Sequence, residues 1–409
     1  MSRSAFRHLA WILPVAVVGC PALPRGADDT PSPAAGQPQG AITEEQILRG
    51  RQLVISGDCG GCHGGSANPV AEDWLIGLRE VPPDFRMGEY FAAPANLTPD
   101  TETGAGRWTD RQLFNALRYG LRPSATPDIL VTSSTPGVGN HPARPNYLAP
   151  LMPWATLRHM SDQELWDIIA YLRHLQPVRA VVPEGRHPAD NWASAHRLAK
   201  IGPMPVAGFP TATEELRDPA RRTQVLQGRQ LVVRLGCGLC HGGQSDPSSS
   251  RWMRGILPEA ERGGEGPFEI AFPLELPFGR FTTYPRNLTP DNVTGLGRFS
   301  ERQLFNALRF GLRPGETADV EITSDVPGQG NFPASPKYLA PPMPWPGWRH
   351  LRDDQLWAIV AYLKNGLKPA RNLVQDSEGP PDFWAGLYGS GMAGTYPAPP
   401  FPTARERAP

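Results

Sequence analysis

The sequence contains 409 residues, of which 40% are apolar, and this length predicts two or three domains with sizeable cores. Its 40 lysine and arginine residues balance its 40 aspartate and glutamate residues, so neither a nucleic-acid-binding surface nor an acidic interaction tail is indicated. The 48 prolines and 43 glycines predict long irregular connections between short helices.

The N-terminus has the layout of an export signal. Basic residues precede an apolar run at 9–18, which is too short to span a bilayer. The run ends in Val17-Val18-Gly19-Cys20, which resembles a bacterial lipobox, whose cysteine is acylated and becomes the first mature residue. The alternative is an ordinary signal peptide with an incidental cysteine. We expect residues 1–20 to be a lipoprotein-type signal peptide and Cys20 to anchor the protein to a membrane in the periplasm.

The segment after the signal has a different composition. Proline, alanine and glycine dominate residues 21–42, and this predicts a disordered tether. No later stretch approaches 18 apolar residues, so the sequence predicts no membrane-spanning helix in the mature chain.

A long internal repeat predicts the domain organisation. The segment Arg111–Pro123 recurs at Arg302–Pro314, at an offset of 191 residues and with a single substitution. Such self-similarity over long copies predicts two homologous domains that each fold as a unit. Two more pairs share the offset: Asn-Leu-Thr-Pro-Asp at 96–100 and 287–291, and Met-Pro-Trp at 152–154 and 343–345.

We name the two domains copy 1 and copy 2. The predicted boundaries are copy 1 at 43–180, a linker at 181–215, copy 2 at 216–372 and a C-terminal tail at 373–409. The motif Cys-x-x-Cys-His lies at 59–63 and again at 237–241, an offset of only 178 residues. Copy 2 therefore contains 13 extra residues between its motif and Asn287.

Helix signals recur at matching places in both copies. Capping-box spacing precedes the first helix of copy 1 and the middle helix of each copy, and Asp218-Pro219 begins the first helix of copy 2. Gly120 and Gly311 end the middle helices. A final helix carries one apolar stripe in each copy: Leu165, Ile168, Ile169 and Leu172, then Leu356, Ile359, Val360 and Leu363. No convincing strand pattern is found, so the predicted fold class is all-α with long Pro/Gly-rich loops.

Cys-x-x-Cys-His is the attachment pattern of c-type haem. Two thiols form thioethers with the haem vinyl groups, and the histidine becomes the proximal iron ligand. A thioredoxin-type pair needs a βαβ context, a structural zinc site needs a further ligand pair in each domain, and a disulfide leaves the histidine unexplained. We therefore predict two covalently bound haem c groups, attached at Cys59, Cys62 and His63 and at Cys237, Cys240 and His241.

Met152 and Met343 are the predicted sixth ligands. They occupy matching positions among eight methionines, each within Leu-Ala-Pro-x-Met-Pro-Trp before the last helix. A thioether in a proline-flanked loop suits a His/Met haem, although methionine is commonly core filler. His159 and His350 also correspond between copies and are the competing candidates for the sixth ligand, but we favour a surface or capping role for them.

Each copy resembles the class I cytochrome c domains of the multihaem cytochrome subunits of bacterial membrane-bound dehydrogenases for alcohols, gluconate and sugars. The similarity rests on Asn-Leu-Thr-Pro-Asp, Thr-Gly-x-Gly-Arg, Leu-x-x-Ala-Leu-Arg-x-Gly, Met-Pro-Trp and Ala-Tyr-Leu, and covers nearly all of both copies. It implies that the first and last helices cross at Gly50 with Tyr171 or Trp166, and at Gly228 with Tyr362 or Trp357. This chain has two haem motifs where those subunits commonly have three, which leaves its partner dehydrogenase open.

Four other repeated residues are candidates for the haem pocket. Arg107 and Arg298 could hydrogen-bond a haem propionate, or could be solvated arginines at a turn. Trp154 and Trp345 are expected to pack over the pocket edge.

Coordination by histidine and methionine predicts an electron carrier rather than an enzyme. With both axial positions filled, outer-sphere one-electron transfer is the available chemistry. The expected partners are a dehydrogenase or respiratory donor and an oxidase or cytochrome acceptor, at a membrane surface. The alternatives are a dihaem peroxidase and a haem-based sensor, which both require an open haem site.

Replacing Cys20 tests the anchor. Cys20→Ser removes the only thiol that an acyl chain could modify in this motif, so we expect a soluble, still red protein in the periplasmic fraction. Fractionation followed by haem staining measures the outcome, with the unchanged protein as the membrane-bound control. Full membrane retention of the variant would count against the lipid anchor.

Overall fold

The structure, a computed structural model, describes residues 41–81, 85–198, 204–257, 272–276 and 279–409. The expected signal peptide, Cys20 and all of the tether before residue 41 lie outside the described residues. Within the described residues, no helix combines the length and apolar character needed to cross a membrane.

Helices make up most of the regular structure, as predicted, and the element order of copy 1 recurs in copy 2. In chain order the helices are α1 (Glu44–Ser56), α2 (Cys59–His63), α3 (Asp110–Tyr119), α4 (Trp154–Leu157), α5 (Asp162–Arg173), α6 (Ala193–Leu198), α7 (Arg222–Arg234), α8 (Cys237–His241), α9 (Glu301–Phe310), α10 (Trp345–Trp348), α11 (Asp353–Asn365) and α12 (Ala385–Leu387). Helices α1 to α5 correspond in order to α7 to α11.

The predicted capping signals form with one exception. Capping boxes begin α1, α3 and α9, and Gly120 and Gly311 end the middle helices with φ of 67° and 70°. Asp218 does not begin an α-helix directly. Its carboxylate accepts a hydrogen bond from the Ala220 amide at 3.0 Å and caps a 3-10 turn, after which α7 begins at Arg222.

The first and last helices of each copy cross where a glycine lets their backbones touch. A Cβ on Gly50 would lie 1.9 Å from the Asp167 carbonyl oxygen and 2.9 Å from the Tyr171 Cβ. A Cβ on Gly228 would lie 1.8 Å from the Ala358 carbonyl oxygen. The aromatic residue at the crossing in copy 1 is therefore Tyr171, one of the two that the resemblance implied.

Each copy builds its own apolar core around this crossing. The apolar stripe of the last helix is buried in both copies, as its periodicity predicts. The core of copy 1 joins α1, α3 and α5 with Trp74 and Leu75, and that of copy 2 joins α7, α9 and α11 with Trp252 and Met253.

Among the described residues, two short antiparallel hairpins are the exception to the all-α expectation. Strands β1 (Arg86–Met87) and β2 (Tyr90–Phe91) pair in copy 1, and β3 (Phe272–Leu276) pairs with β4 (Gly279–Thr283) in copy 2. The second hairpin lies in the part of copy 2 that contains the extra residues. The tail stabilises β4, since the Glu378 amide donates to the Thr282 carbonyl at 2.8 Å and the Glu378 carboxylate accepts from the Thr282 amide at 2.7 Å.

The segments expected as a linker and a tail pack against the copies and extend the repeat. Asp190-x-Trp192 in the linker recurs as Asp382-x-Trp384 in the tail, at an offset of 192 residues. Both tryptophans are buried. Each aspartate accepts a hydrogen bond from the backbone amide four residues later, at 2.8 Å in both segments. The repeated unit is therefore longer than the sequence motifs indicated.

The copies contact each other through equivalent elements. A Cβ on Gly347 in α10 would lie 3.1 Å from the Cβ of Asp58, the residue before the motif of copy 1. Reciprocally, a Cβ on Gly236, the residue before the motif of copy 2, would lie 3.4 Å from Cγ2 of Thr156 in α4. An ion pair between Arg234 and Glu164 joins the same surfaces. In both copies, the helix after the candidate axial methionine faces the attachment motif of the other copy.

Substitution at a helix crossing tests this packing. We expect Gly50→Ala to lower the free energy of unfolding by about 1–3 kcal/mol or more, because the new methyl group meets backbone atoms that have no room to move. Urea unfolding followed by circular dichroism measures the change. Gly208→Ala is the matched control, because a Cβ there meets no atom within 4 Å, and it should change stability by less than about 0.5 kcal/mol. Equal effects of the two variants would contradict the crossing geometry.

Candidate haem attachment sites

Each Cys-x-x-Cys-His motif is folded as a single short helix with strained ends. Asp58 before α2 and Gly236 before α8 are left-handed, with φ of 54° and 71°. Gly64 and Gly242 after the histidines also have positive φ, at 102° and 95°. The sharp turns at both ends confine the two cysteines and the histidine to one helical turn and a half.

A tryptophan packs against the glycine that follows the first cysteine of each motif. A Cβ on Gly60, between the two cysteines of copy 1, would lie 2.6 Å from Cζ3 of Trp74 and 1.8 Å from the Ser66 carbonyl oxygen. Gly238 has the same relation to Trp252, at 2.5 Å. Only glycine fits at these two positions, so the first variable residue of each motif is fixed by packing.

The two motif histidines are held with one ring nitrogen available. Nδ1 of His63 lies 2.7 Å from the Ala95 carbonyl oxygen, and Nδ1 of His241 lies 2.7 Å from that of Arg286. Burial lowers the pKa of both imidazoles, against the smaller raising effect of these hydrogen bonds. Each ring is therefore neutral at pH 7, with the proton on Nδ1 and the lone pair on Nε2, which suits a metal ligand.

The four motif cysteines form no disulfide in the described part of the chain. Burial raises the pKa of Cys59 and Cys237 to about 12, and that of Cys62 and Cys240 to about 11. Thiols of catalytic dithiol pairs have lowered pKa values instead. The environment of these cysteines argues against a thiol redox site and leaves them free for thioether attachment.

The candidate axial methionines belong to the same cores as the motifs. Met152 packs against the core of copy 1 together with Cys59, and Met343 packs against the core of copy 2 together with Cys237. A tight turn fixes each methionine, because its amide donates to the alanine three residues earlier, at 3.0 Å from Met152 and 2.9 Å from Met343. The fold thus brings each predicted methionine to the core that holds its motif.

The tryptophan after each methionine is clamped in place. Trp154 stacks on Tyr147 and makes an edge contact with the ring of His196 of the linker, whose Nε2 donates to the Leu148 carbonyl at 2.9 Å. Gly120 is required here on two grounds, its positive φ and its contact with Trp154, which would lie 2.2 Å from a Cβ at that position. Trp345 is held in the same way by Tyr338, by Gly311 and by Tyr388 of the tail. Both tryptophans therefore anchor the methionine loops.

The structure places the candidate pocket arginines at the surface. Arg107 and Arg298 are exposed, and each guanidinium lies over the neighbouring ring, at 5.1 Å for Trp108 and 4.8 Å for Phe299. Arg158 and Arg349, which follow the methionine loops, are buried instead, only 7% and 5% exposed, and their Nε atoms have no partner within the described residues.

Sequence reasoning passed over these two buried arginines, although they recur in Trp-x-x-x-Arg-His at the same offset as the methionines. Their neighbours His159 and His350 were expected to have surface or capping roles, and the structure places both rings partly buried beside these arginines. Burial, followed by the nearby arginine charges, lowers the pKa of each histidine to about 4, and each Nε2 is buried without a partner among the described residues. Unsatisfied buried donors of this kind suit a bound carboxylate-bearing group.

The chemistry of the two sites fits haem c. Each combines two free thiols, a neutral histidine with an available Nε2 and a methionine on the same core. Within the described residues, no group of three or more histidine, cysteine, aspartate or glutamate side chains is arranged to hold a metal ion.

Comparison with known proteins gives a family match for copy 1. Residues 47–176 match the family model described as cytochrome c. This segment contains the motif of copy 1, α3, Met152, all of α5 and all but the first three residues of α1. The cytochrome c family implies covalently attached haem c and electron transfer.

The chain is also similar to three characterised types of protein. It is 27% identical over 348 residues to the gluconate 2-dehydrogenase cytochrome c subunit of Pantoea cypripedii, covering 83% of this chain and 64% of that protein. It is 23% identical over 320 residues to the alcohol dehydrogenase (quinone) cytochrome c subunit of Gluconacetobacter polyoxogenes, covering 78% and 55%. A diheme cytochrome c-type protein of Cereibacter sphaeroides is 29% identical over 315 residues, covering 74% and 91%. The predicted resemblance to dehydrogenase cytochrome subunits is confirmed.

The matched lengths differ among these relatives. The chain spans less than two thirds of the gluconate and alcohol dehydrogenase subunits, at 64% and 55%, but nearly all of the diheme protein. The activities and partners of the longer relatives are therefore proposals for this chain.

Adjacent glycines in the first motif provide a test of the attachment geometry. We expect Gly60→Ala to reduce haem attachment at copy 1 severely, because its methyl group collides with the Ser66 backbone and Trp74. Gly61→Ala is the matched control. The atoms nearest to its methyl group belong to the Asp58 carboxylate, at 2.4 Å, which is the end of a side chain rather than backbone, and Leu239 occupies the equivalent position of copy 2. The haem content per chain, from absorbance of the pyridine haemochrome, should fall for Gly60→Ala only.

Proposed function

We propose that this protein is a dihaem c-type cytochrome that carries single electrons, built from two tandem cytochrome c domains. The observation that carries the proposal is the equivalence of the two sites. In both copies the motif histidine donates from Nδ1 to a backbone carbonyl at 2.7 Å, and in both a methionine packs on the core that holds the motif.

Each side chain has a defined role in this proposal. Cys59 and Cys62 attach one haem and Cys237 and Cys240 the other, while the carbonyls that accept from His63 and His241 orient the imidazoles toward the iron. Met152 and Met343 provide the sixth ligands. Haem c held by histidine and methionine supplies outer-sphere one-electron transfer, because neither axial position is open to oxygen, peroxide or substrate.

The two-haem count has separate support from the matched relatives. The chain covers 91% of a protein named as a diheme cytochrome, and it contains two complete motifs. The family model matches copy 1, and copy 2 repeats its element order, its helix crossing and its histidine hydrogen bond. Copy 2 is therefore assigned as a second cytochrome c domain.

Electrons pass directly between the two domains in this proposal. The residue before each motif contacts the helix after the methionine of the other copy, through Asp58 with Gly347 and Gly236 with Thr156. A Cβ added to Gly347 or Gly236 would lie within 3.4 Å of the other copy, so the two copies pack closely here, and the interface joins the attachment side of one site to the methionine side of the other.

The donor and acceptor are redox proteins at a membrane surface of the periplasm. Relatives that serve gluconate and alcohol dehydrogenases indicate a dehydrogenase as the electron donor. An oxidase or another cytochrome would accept the electrons. A lipid on Cys20 would hold the protein to the membrane, with residues 21–42 as the tether.

Carbon monoxide binding tests the choice between carrier and enzyme. We expect the reduced protein to bind no carbon monoxide at either haem, and Met152→Ala and Met343→Ala each to open one site. Each variant should then bind one equivalent per chain, and the potential of the opened haem should fall because the thioether stabilises ferrous iron. Absorbance titration of the reduced proteins measures binding.

The two methionine variants act as controls for each other. Binding of one equivalent by the unchanged protein would reveal an open haem and favour a peroxidase or sensor. Failure of either methionine variant to bind would show that its methionine is not the sixth ligand.

A further inference from the structure

Two proline-rich segments of this protein are equivalent, although they end on different copies. We name residues 204–214 of the linker the linker strap, and residues 396–406 the tail strap. Phe-Pro-Thr-Ala at 209–212 recurs at 401–404, and the buried carboxylates Glu214 and Glu406 follow at the same offset of 192 residues. The linker strap leads into copy 2, whereas the tail strap returns to copy 1.

The tail strap pairs with copy 1 along its length. Glu406 bridges to Leu175 at the end of α5, and the Gln176 amide donates to the Arg405 carbonyl at 2.8 Å. The Thr403 hydroxyl donates to the Pro69 carbonyl at 2.9 Å, close to the attachment motif. The linker strap makes the corresponding contacts with copy 2, where Glu214 bridges to Leu367 and the Thr211 hydroxyl donates to Pro247 at 2.8 Å.

The glutamate of each strap belongs to a buried series of hydrogen-bonded side chains, which we name the polar chain. Glu406, 3% exposed, accepts from Nε of Arg51 at 2.6 Å and from the Tyr171 hydroxyl at 2.6 Å. Arg51 also donates to the strap backbone at Pro399, at 2.7 Å. A buried carboxylate needs this full set of partners, because an unpaired charge in the interior is strongly unfavourable.

The polar chain continues to the haem attachment motif. The Tyr171 hydroxyl, which donates to Glu406, accepts from Nε1 of Trp74 at 3.0 Å. Trp74 is the ring that supports Gly60 and also Gly65, whose added Cβ would lie 2.9 Å from Cε3 of the ring. The strap carboxylate thus fixes the tyrosine, the tyrosine fixes the tryptophan, and the tryptophan supports the motif.

Copy 2 contains the same chain, with its carboxylate from the linker strap. Arg229 donates to Glu214 at 2.6 Å and to Ala207 of the strap at 2.6 Å. The Tyr362 hydroxyl also donates to Glu214, and accepts from Nε1 of Trp252 at 2.7 Å. Trp252 supports Gly238 of the second motif.

We propose that Glu406 and Glu214 are positioning residues for the haem motifs of copy 1 and copy 2, so that the C-terminus of the chain completes the N-terminal haem site. The inference rests on the proposed function, since it assumes a haem at each motif. Its consequence is that a segment following copy 2 in the chain completes the site of copy 1. Before the tail strap reaches copy 1, Tyr396 at its start accepts from Arg309 of copy 2 at 2.6 Å. A change at the end of the chain therefore acts on the haem that is more distant in sequence.

The test uses full-length protein with Glu406→Gln and, as the matched control, Glu214→Gln. Each variant removes one buried negative charge and keeps the side-chain shape. We expect Glu406→Gln to raise the reduction potential of the copy 1 haem, or to lower its occupancy, because an uncompensated Arg51 favours ferrous over ferric iron. Glu214→Gln should affect the copy 2 haem in the same way. Potentiometric titration and haem content measure the effects.

Two single-haem proteins show which measured potential belongs to which haem, without use of the methionine variants. Cys59→Ala with Cys62→Ala leaves the copy 2 haem, and Cys237→Ala with Cys240→Ala leaves the copy 1 haem. Tyr171→Phe and Tyr362→Phe are milder variants that keep both ion pairs but interrupt the link to tryptophan, and each should shift the potential of its own haem only.

The outcomes separate this inference from the proposed function. An unchanged protein with fewer than two haems would contradict the proposed function. Two haems in the unchanged protein, with Glu406→Gln affecting the copy 2 haem, neither haem, or both haems equally, would overturn the strap assignment. A change confined to the copy 1 haem supports it.

Discussion

The close crossing of the first and last helices is the constraint on which each half of this molecule depends. Helix α1 leads directly into the motif at 59–63, and α5 follows the loop that carries Met152. Because a Cβ on Gly50 would overlap the backbone of α5, the crossing permits only one spacing between these helices. That spacing fixes the position of the motif relative to the methionine loop. The same argument applies to Gly228 and α11.

Buried ion pairs then define which segment closes each half. Breaking a pair such as Arg51 with Glu406 costs about 3–5 kcal/mol, although the intact pair gives little net stability over apolar packing. These ion pairs therefore contribute less to net stability than to the selection of the segment that packs against each half. Apolar surface alone would accept many proline-rich segments, whereas a buried arginine accepts only a segment that delivers a carboxylate to the right place. The two straps meet this requirement with the same residues, Phe-Pro-Thr-Ala followed by glutamate.

The two halves are equivalent in their frames but not in their charges. Asp58 occupies the position of Gly236, and burial raises the pKa of its carboxyl to about 7. In copy 2, Arg349 pairs with Asp325 at 3.1 Å. In copy 1, which contains Arg158, the position corresponding to Asp325 is Ser134. Charges close to a redox centre change its potential, so these differences give the two sites distinct electrostatic environments. A duplicated fold can thus place its two Cys-x-x-Cys-His motifs in unequal electrostatic surroundings.

The sequence by itself determined the local features of this protein. The capping boxes, the helix stripes and the Cys-x-x-Cys-His motifs depend on neighbouring residues, and the repeat is found by comparing the sequence with itself, so each is readable without a structure. Tertiary structure alone decided which distant residues meet. No local pattern reports that Glu406 pairs with Arg51, that Arg158 is buried while Arg107 is exposed, or that the carbonyl of Ala95 fixes His63. These contacts join residues far apart in the chain, and burial, which makes them strong, arises only when the separate elements pack together.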